Sequence, residues 1–270
     1  MLSDQIRKIL SHYQDLPLRM ISTAILAAIF LSGIWRGGLP FLILCSILVA
    51  LLIYELLLMV GRSLPHWHQA MIALSSGAAF GLIVNALLYA YHFGIAVFLV
   101  LSAVTAFALP ISRKLFAIFA ATIFLATYQL YLVRHFEGFD LALAVVLTVV
   151  ATDVSGYLFG RLLKGPRLPI SYSPMKTWSG TIAGWLMAMC VWSVATGRIT
   201  ATDLLFALVI ALASQVGDLG QSWLKRQVHV KDSSRLLPGH GGMYDRFDSL
   251  VGAGIFLMLY QLLLLGAPTG

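Results

Sequence analysis

LPFLILCSILVALLIYELLLMV, Leu39 to Val60, runs for twenty-two residues with a single charged side chain, Glu55. A helix needs about 20 predominantly apolar residues to cross the hydrocarbon core of a bilayer, so this stretch alone reads as a membrane span. Comparable runs lie at Met20–Trp35, Ala70–Tyr91, Phe93–Ile111, Leu115–Val133, Leu141–Phe159, Trp178–Thr196, Leu204–Leu219 and Leu250–Leu265, divided by short polar or Gly/Pro stretches. The third and fourth together are too long for one helix across a core of about 30 Å, which predicts a tight turn at His92, Phe93 and Gly94. The expected fold is an all-α, polytopic integral membrane protein of about nine transmembrane helices.

Composition agrees. The 270 residues are 60% hydrophobic and 11% charged, too apolar for a soluble domain and too long in its apolar runs for a disordered or disulfide-built chain. Both cysteines, Cys45 and Cys190, sit inside apolar runs and read as inert packing residues. The net charge of +7 does not imply a nucleic-acid partner, because the basic residues segregate. Nine spans with a cytoplasmic N-terminus leave only Arg36, Arg134 and Arg198 outside and place the other fifteen of 18 Lys and Arg residues inside. The positive-inside rule therefore orients the chain, with its C-terminus outside. The expected setting is a bacterial inner membrane.

Residues 1–19 form the first segment: Leu2, Ile6, Ile9, Leu10 and Tyr13 recur at helical spacing beside Arg7 and Lys8, as in an amphipathic helix lying in the interface. Residues 20–138 hold about five spans. Residues 139–270 hold the rest, with two long inside loops, 160–177 and 221–249. A magnesium-dependent phosphate site is legible around these loops.

Glu55, Asp153 and Asp218 fall within or at the ends of apolar spans, where an ionised carboxylate costs roughly 2.5–3.5 kcal/mol. For Glu55 the reading stays open between a polar cavity and an isolated carboxylate reaching the interface. If the eighth helix continues past Asp218, then Ser222, Lys225 and Arg226 share its face. Asp245 and Asp248, three apart, share a face at the start of the ninth. Carboxylates beside many cations suit Mg²⁺, which takes hard oxygen ligands, and phosphates, which Lys and Arg hold. Pro238-Gly239-His240-Gly241-Gly242 lets backbone N–H groups approach an anion, and His240 can donate to one. In the other loop, Asp153, Ser173, Lys176 and Thr177 offer polar groups at headgroup level, ahead of a helix opened by Trp178.

The stretch SWLKRQVHVKDSSRLLPGHGGMYDRFD, Ser222 to Asp248, resembles the C-terminal signature of the phosphatidate cytidylyltransferases, or CDP-diacylglycerol synthases. DVSGYLFG from Asp153 and SPMKTWSG from Ser173 are similar to upstream elements of that family. One departure is Gln221, where the family often carries Glu; it removes that position from the expected metal and proton roles.

The resemblance implies that CTP and phosphatidic acid react to CDP-diacylglycerol and pyrophosphate with Mg²⁺ as cofactor, membrane lipid as partner, and a homodimer as assembly. Asp218, Asp245 and Asp248 are then the metal ligands, and Lys225, Arg226, Lys231 and Arg246 hold phosphates. His240, Gly241 and Gly242 support the pyrophosphate, while Asp232 orients a basic neighbour or a second cation. Ser173, Lys176 and Thr177 grip either the lipid phosphate or the nucleotide, with Asp153 and Ser222 lining the substrate site. Competing expectations are a related CTP-using membrane enzyme, such as a polyprenol kinase or an archaeal-type lipid cytidylyltransferase, and an ion-coupled transporter. Against the transporter stands the gathering of acidic residues at one face rather than at the midplane.

Overall fold

The computed structural model of the chain describes residues 16–110, 112–237 and 241–266. The expected interfacial helix before Leu16, and Pro238, Gly239 and His240, lie outside the described residues.

Among the described residues nine helices follow one another: α1 Leu16–Arg36, α2 Gly38–Val60, α3 His66–Ala86, α4 Tyr91–Phe107, α5 Arg113–Leu132, α6 Phe139–Leu163, α7 Trp178–Thr196, α8 Ala201–Gln227 and α9 Tyr244–Gly266. A single π-helical turn, Val133–Glu137, prolongs α5. Seven of these segments are long and apolar enough to cross a membrane; Ile21–Arg36 within α1, and α4, are shorter apolar stretches. The described residues form no β-strand beyond two isolated bridges. This is the architecture of a polytopic membrane protein.

The turn expected at His92–Gly94 lies earlier. α3 closes at Ala86, Leu87 N–H donates to Ile83 O at 2.8 Å, Ala90 N–H donates to Leu87 O at 2.9 Å, and α4 has resumed by Tyr91. Gly94 is a helical residue whose smallness serves packing: a Cβ there would lie 2.6 Å from the Tyr128 hydroxyl oxygen on α5.

α5 is the most enclosed segment, with α2, α4 and α9 packed on it. Its Phe124 and Tyr128 join Phe98 of α4 and Phe80 of α3 in a buried run of aromatic contacts, ring centroids 5.2–5.7 Å apart. Arg134, from the π turn, reaches back to the end of α1 and donates to the carbonyls of Ile34 and Trp35. A cation there satisfies last-turn carbonyls and opposes the negative end of the helix dipole.

Lipid offers helices no hydrophobic gain on pairing, so close backbone approach must hold them together. α8 and α9 show this where Gly217 crosses Gly252. A Cβ on Gly217 would stand 2.8 Å from Gly252 Cα, and one on Gly252 would stand 2.2 Å from Ala213 O. The crossing lies one residue from Asp218 and one turn from Asp248, so it fixes how near those two carboxylates come.

Candidate active site

α9 opens without a hydroxyl or carboxylate cap of its own. Its first N–H groups, which no intrahelical carbonyl can accept, donate instead to Glu55 of α2: Met243 N–H to Oε1 at 2.7 Å and Tyr244 N–H to Oε2 at 2.6 Å. The same carboxylate accepts the Ser234 hydroxyl on Oε1 at 2.6 Å and the Ser233 hydroxyl on Oε2 at 2.8 Å. Glu55 is fully buried. The open question about it is answered by contact: it binds the segment that leads into α9, and a negative charge suits that helix end.

Asp245 organises the other side of the segment. Its Oδ2 accepts Ser233 N–H at 2.9 Å, the Ser233 hydroxyl at 3.0 Å and Gly242 N–H at 3.0 Å. Its Oδ1 accepts Lys225 Nζ at 2.8 Å and Gln221 Nε2 at 3.1 Å from α8. α8 runs past Asp218 to Gln227 as its face predicts, and that continuation delivers Gln221 and Lys225 here. Gln221 is buried, and its Oε1 has no hydrogen-bond partner. Gly242 fits beneath Ser233 because it lacks a side chain; a Cβ would fall 1.8 Å from Ser233 Oγ and 2.6 Å from Glu55 Oε2.

A second group of acids is separate from Asp245. Asp153 of α6, Asp218 of α8 and Asp248 of α9 lie close enough for their charges to interact. Asp248 is buried, Asp218 half-buried and Asp153 exposed. Lys176 Nζ stands 2.5 Å from Asp218 Oδ2. The Ser249 side chain bonds Asp153, and Ser249 N–H donates to Asp248 Oδ1 at 2.8 Å. Asp218 and Asp248 therefore come together as expected, but their third carboxylate is Asp153, which the sequence reading put on the substrate. Asp245 faces Lys225 instead. Among the described residues no three His, Cys, Asp or Glu side chains close into a ready-made metal cage.

The loop between α6 and α7 is folded rather than loose. Arg167 and Thr177 form an antiparallel bridge, Leu168 N–H donates to Lys176 O at 2.9 Å, and Trp178 N–H donates to Pro166 O at 2.9 Å. Thr177 caps α7, its hydroxyl accepting Gly180 N–H at 3.2 Å. Ser173 sits in a turn that its carbonyl closes by accepting Lys176 N–H at 3.3 Å. The fold of this loop is what carries Lys176 to Asp218.

Arg226, Lys231, Asp232 and Arg246 are exposed around the same end, and Ser222 is half-buried on α8. Gly241 adopts φ +83° and accepts Leu237 N–H at 2.9 Å. His240 lies outside the described residues. The residues that sequence reasoning missed are Ser233 and Ser234. Nothing in their spacing points to a partner, since that partner is on α2.

The arrangement comprises a carboxylate cluster, a tightly bonded Gly-containing turn and several accessible cations. The profile of the cytidylyltransferase family covers residues 17–264. The chain belongs to that family. Its relatives include the phosphatidate cytidylyltransferase of Brucella abortus biovar 1 (strain 9-941), 42% identical over 150 residues that cover 52% of this chain and 56% of the relative. The phosphatidate cytidylyltransferase of Helicobacter pylori (strain ATCC 700392 / 26695) is 42% identical over 125 residues, 44% of this chain and 46% of the relative. That of Haemophilus influenzae (strain ATCC 51907 / DSM 11121 / KW20 / Rd) is 33% identical over 171 residues, 58% and 59% respectively. The chain thus spans about half the length of the relatives it matches.

Proposed function

We propose that this cytidylyltransferase-family chain transfers the cytidylyl group of CTP to phosphatidic acid, yielding CDP-diacylglycerol and pyrophosphate at the cytoplasmic face of a bacterial inner membrane. The observation that carries this reading is the meeting of Asp153 within α6, Asp218 within α8 and Asp248 near the start of α9, the helix into which the Gly-containing turn leads. Nine crossings are included in it: α4, at 17 residues and about 1.5 Å per residue, comes near the thickness of the core. The 15-to-3 division of basic residues orients them.

The lipid phosphate is a monoester whose second ionisation lies near pH 6, so it is already an anionic nucleophile and needs no strong base. One of its oxygens forms a bond to the α-phosphorus of CTP as the bond to the departing pyrophosphate breaks. The barrier is then mostly one of bringing two anions into line, and positioning with charge neutralisation must dominate.

Three neighbouring carboxylates repel one another, and Lys176 beside Asp218 and Lys225 near Asp248 offset only part of that charge. Such a donor set fits a hard divalent cation, which commonly takes one or two carboxylates and completes its shell with water and substrate phosphate. Asp218 and Asp248 are the assigned ligands, with Asp153 beside them; Mg²⁺ bound there supplies charge neutralisation and polarises a phosphate oxygen.

Asp245, whose oxygens are taken by five hydrogen-bond contacts, holds the turn, and Lys225 neutralises it. Arg226, Lys231 and Arg246 remain the assigned phosphate-binding cations and Gly241 with His240 the assigned support of the pyrophosphate, whereas Gly242, buried with its N–H committed to Asp245, shapes the turn. Lys176 and Ser173 serve the substrate that approaches Asp218. A site at headgroup depth lets the lipid present its phosphate with its acyl chains still in the bilayer.

The test is the purified protein in detergent with radiolabelled CTP, phosphatidic acid and Mg²⁺. Labelled lipid that requires all three components is expected. No labelled lipid would overturn the proposal.

A further inference from the structure

A fully buried carboxylate on α2 plays no part in the chemistry above, yet it binds the segment from which that chemistry is assembled. We propose that Glu55 is a positioning residue that sets the CTP-binding turn against the acidic cluster, an inference that rests on the activity proposed above.

The argument begins with which atoms donate. Each Glu55 oxygen accepts one backbone N–H and one hydroxyl: Met243 N–H and Ser234 Oγ on Oε1, Tyr244 N–H and Ser233 Oγ on Oε2. Hydroxyls can rotate and reverse their role, but backbone N–H groups cannot. An amide in place of the carboxylate has one oxygen and one NH₂. Whichever way it is turned, its NH₂ faces a backbone N–H, and flipping it only exchanges which one.

What this displaces is a turn rather than a core. Ser233 Oγ lies within reach of both Glu55 (2.8 Å) and Asp245 (3.0 Å), and its single hydrogen serves the two in common. Gly242 lies directly beneath that hydroxyl. A shift at Glu55 therefore passes through Ser233 to Asp245, and from there to Lys225 and Gln221 on α8. Lys231, Asp232 and Gly241 lie on the segments so displaced. The carboxylates of Asp218 and Asp248 are carried by helices that hold their own crossing at Gly217 and Gly252, and Asp153 by a helix held at Gly156 against Gly180 of α7, so they stay in place. Nucleotide binding through the turn is selectively impaired, and lipid binding is not.

The test compares the full-length wild type, Glu55→Gln and Ser234→Ala in detergent, by amide hydrogen exchange and by steady-state kinetics. In Glu55→Gln, exchange at residues 231–237 and 241–245 rises about tenfold or more, and KM for CTP rises by a similar factor, with KM for phosphatidic acid within about twofold of wild type. Ser234→Ala, which removes one bond and no charge, moves both readouts in the same direction by less.

Wild-type exchange in those segments, an unchanged KM for CTP, or protection lost evenly through every helix would each overturn the positioning role. A wild-type protein that makes no CDP-lipid would remove the proposed activity instead, and the exchange comparison would still decide whether Glu55 anchors the turn.

Discussion

Replacing Asp248 by Asn lowers turnover by about a thousandfold while the protein stays folded, because a metal ligand supplies several kcal/mol that is realised in the transition state. Asp248 is buried beside Asp218 and Asp153, and a neutral amide there weakens the hold on a divalent cation between two phosphorylated substrates. The fold itself loses nothing it needs. Asp248 belongs to a set of like charges, and neutralising one of them relieves repulsion. Thermal unfolding in detergent without metal should therefore give Asp248→Asn a midpoint equal to or above that of wild type. An Asp248→Asn protein with wild-type turnover would remove this residue from the metal site.

Asp245→Asn gives the opposite pattern, although the two residues are three positions apart on the same helix turn. Both oxygens of Asp245 accept: Lys225 and Gln221 on one side, Ser233 and Gly242 on the other. An Asn turned one way sets its NH₂ against the Lys225 ammonium; turned the other way, it sets it against two backbone N–H groups. Side-chain exposures of 14% for Lys225 and 10% for Asp245 leave little water to take over, so the lysine loses its directly bonded counter-charge where solvation is poor. Removing one partner of such a pair costs about 3–5 kcal/mol when burial is complete, and somewhat less here. Asp245→Asn should consequently lower the unfolding midpoint as well as activity, by disordering the turn. A midpoint equal to that of wild type, with activity alone lost, would return Asp245 to the metal.

Much of this could be read from residues in order. The apolar runs mark the helices because a bilayer core demands them, and the face shared by Asp218, Ser222 and Lys225 follows once α8 is allowed to continue past its apolar part. The signature from Ser222 to Asp248 points to cytidylyl transfer without any structure.

What stayed hidden depends on crossings between helices. Asp218 meets Asp248 because glycines let α8 and α9 touch, and Asp153 joins them because α6 packs against both helices; neither has a periodicity. Glu55 stands out as the single charge in its span, but its partners Ser233 and Ser234 are 178 and 179 residues away in sequence. The α3–α4 turn precedes the position that the sequence predicts for a related reason: Gly94 reads as a turn residue, whereas its missing side chain makes room for Tyr128.

The most direct measurement is a titration of the purified protein with Mn²⁺, a spectroscopic substitute for Mg²⁺, followed by electron paramagnetic resonance in wild type, Asp218→Asn and Asp248→Asn. Saturable binding in the wild type, weakened about tenfold or more in each variant, is the predicted result. Equal affinity in all three proteins would contradict a cation held between α8 and α9.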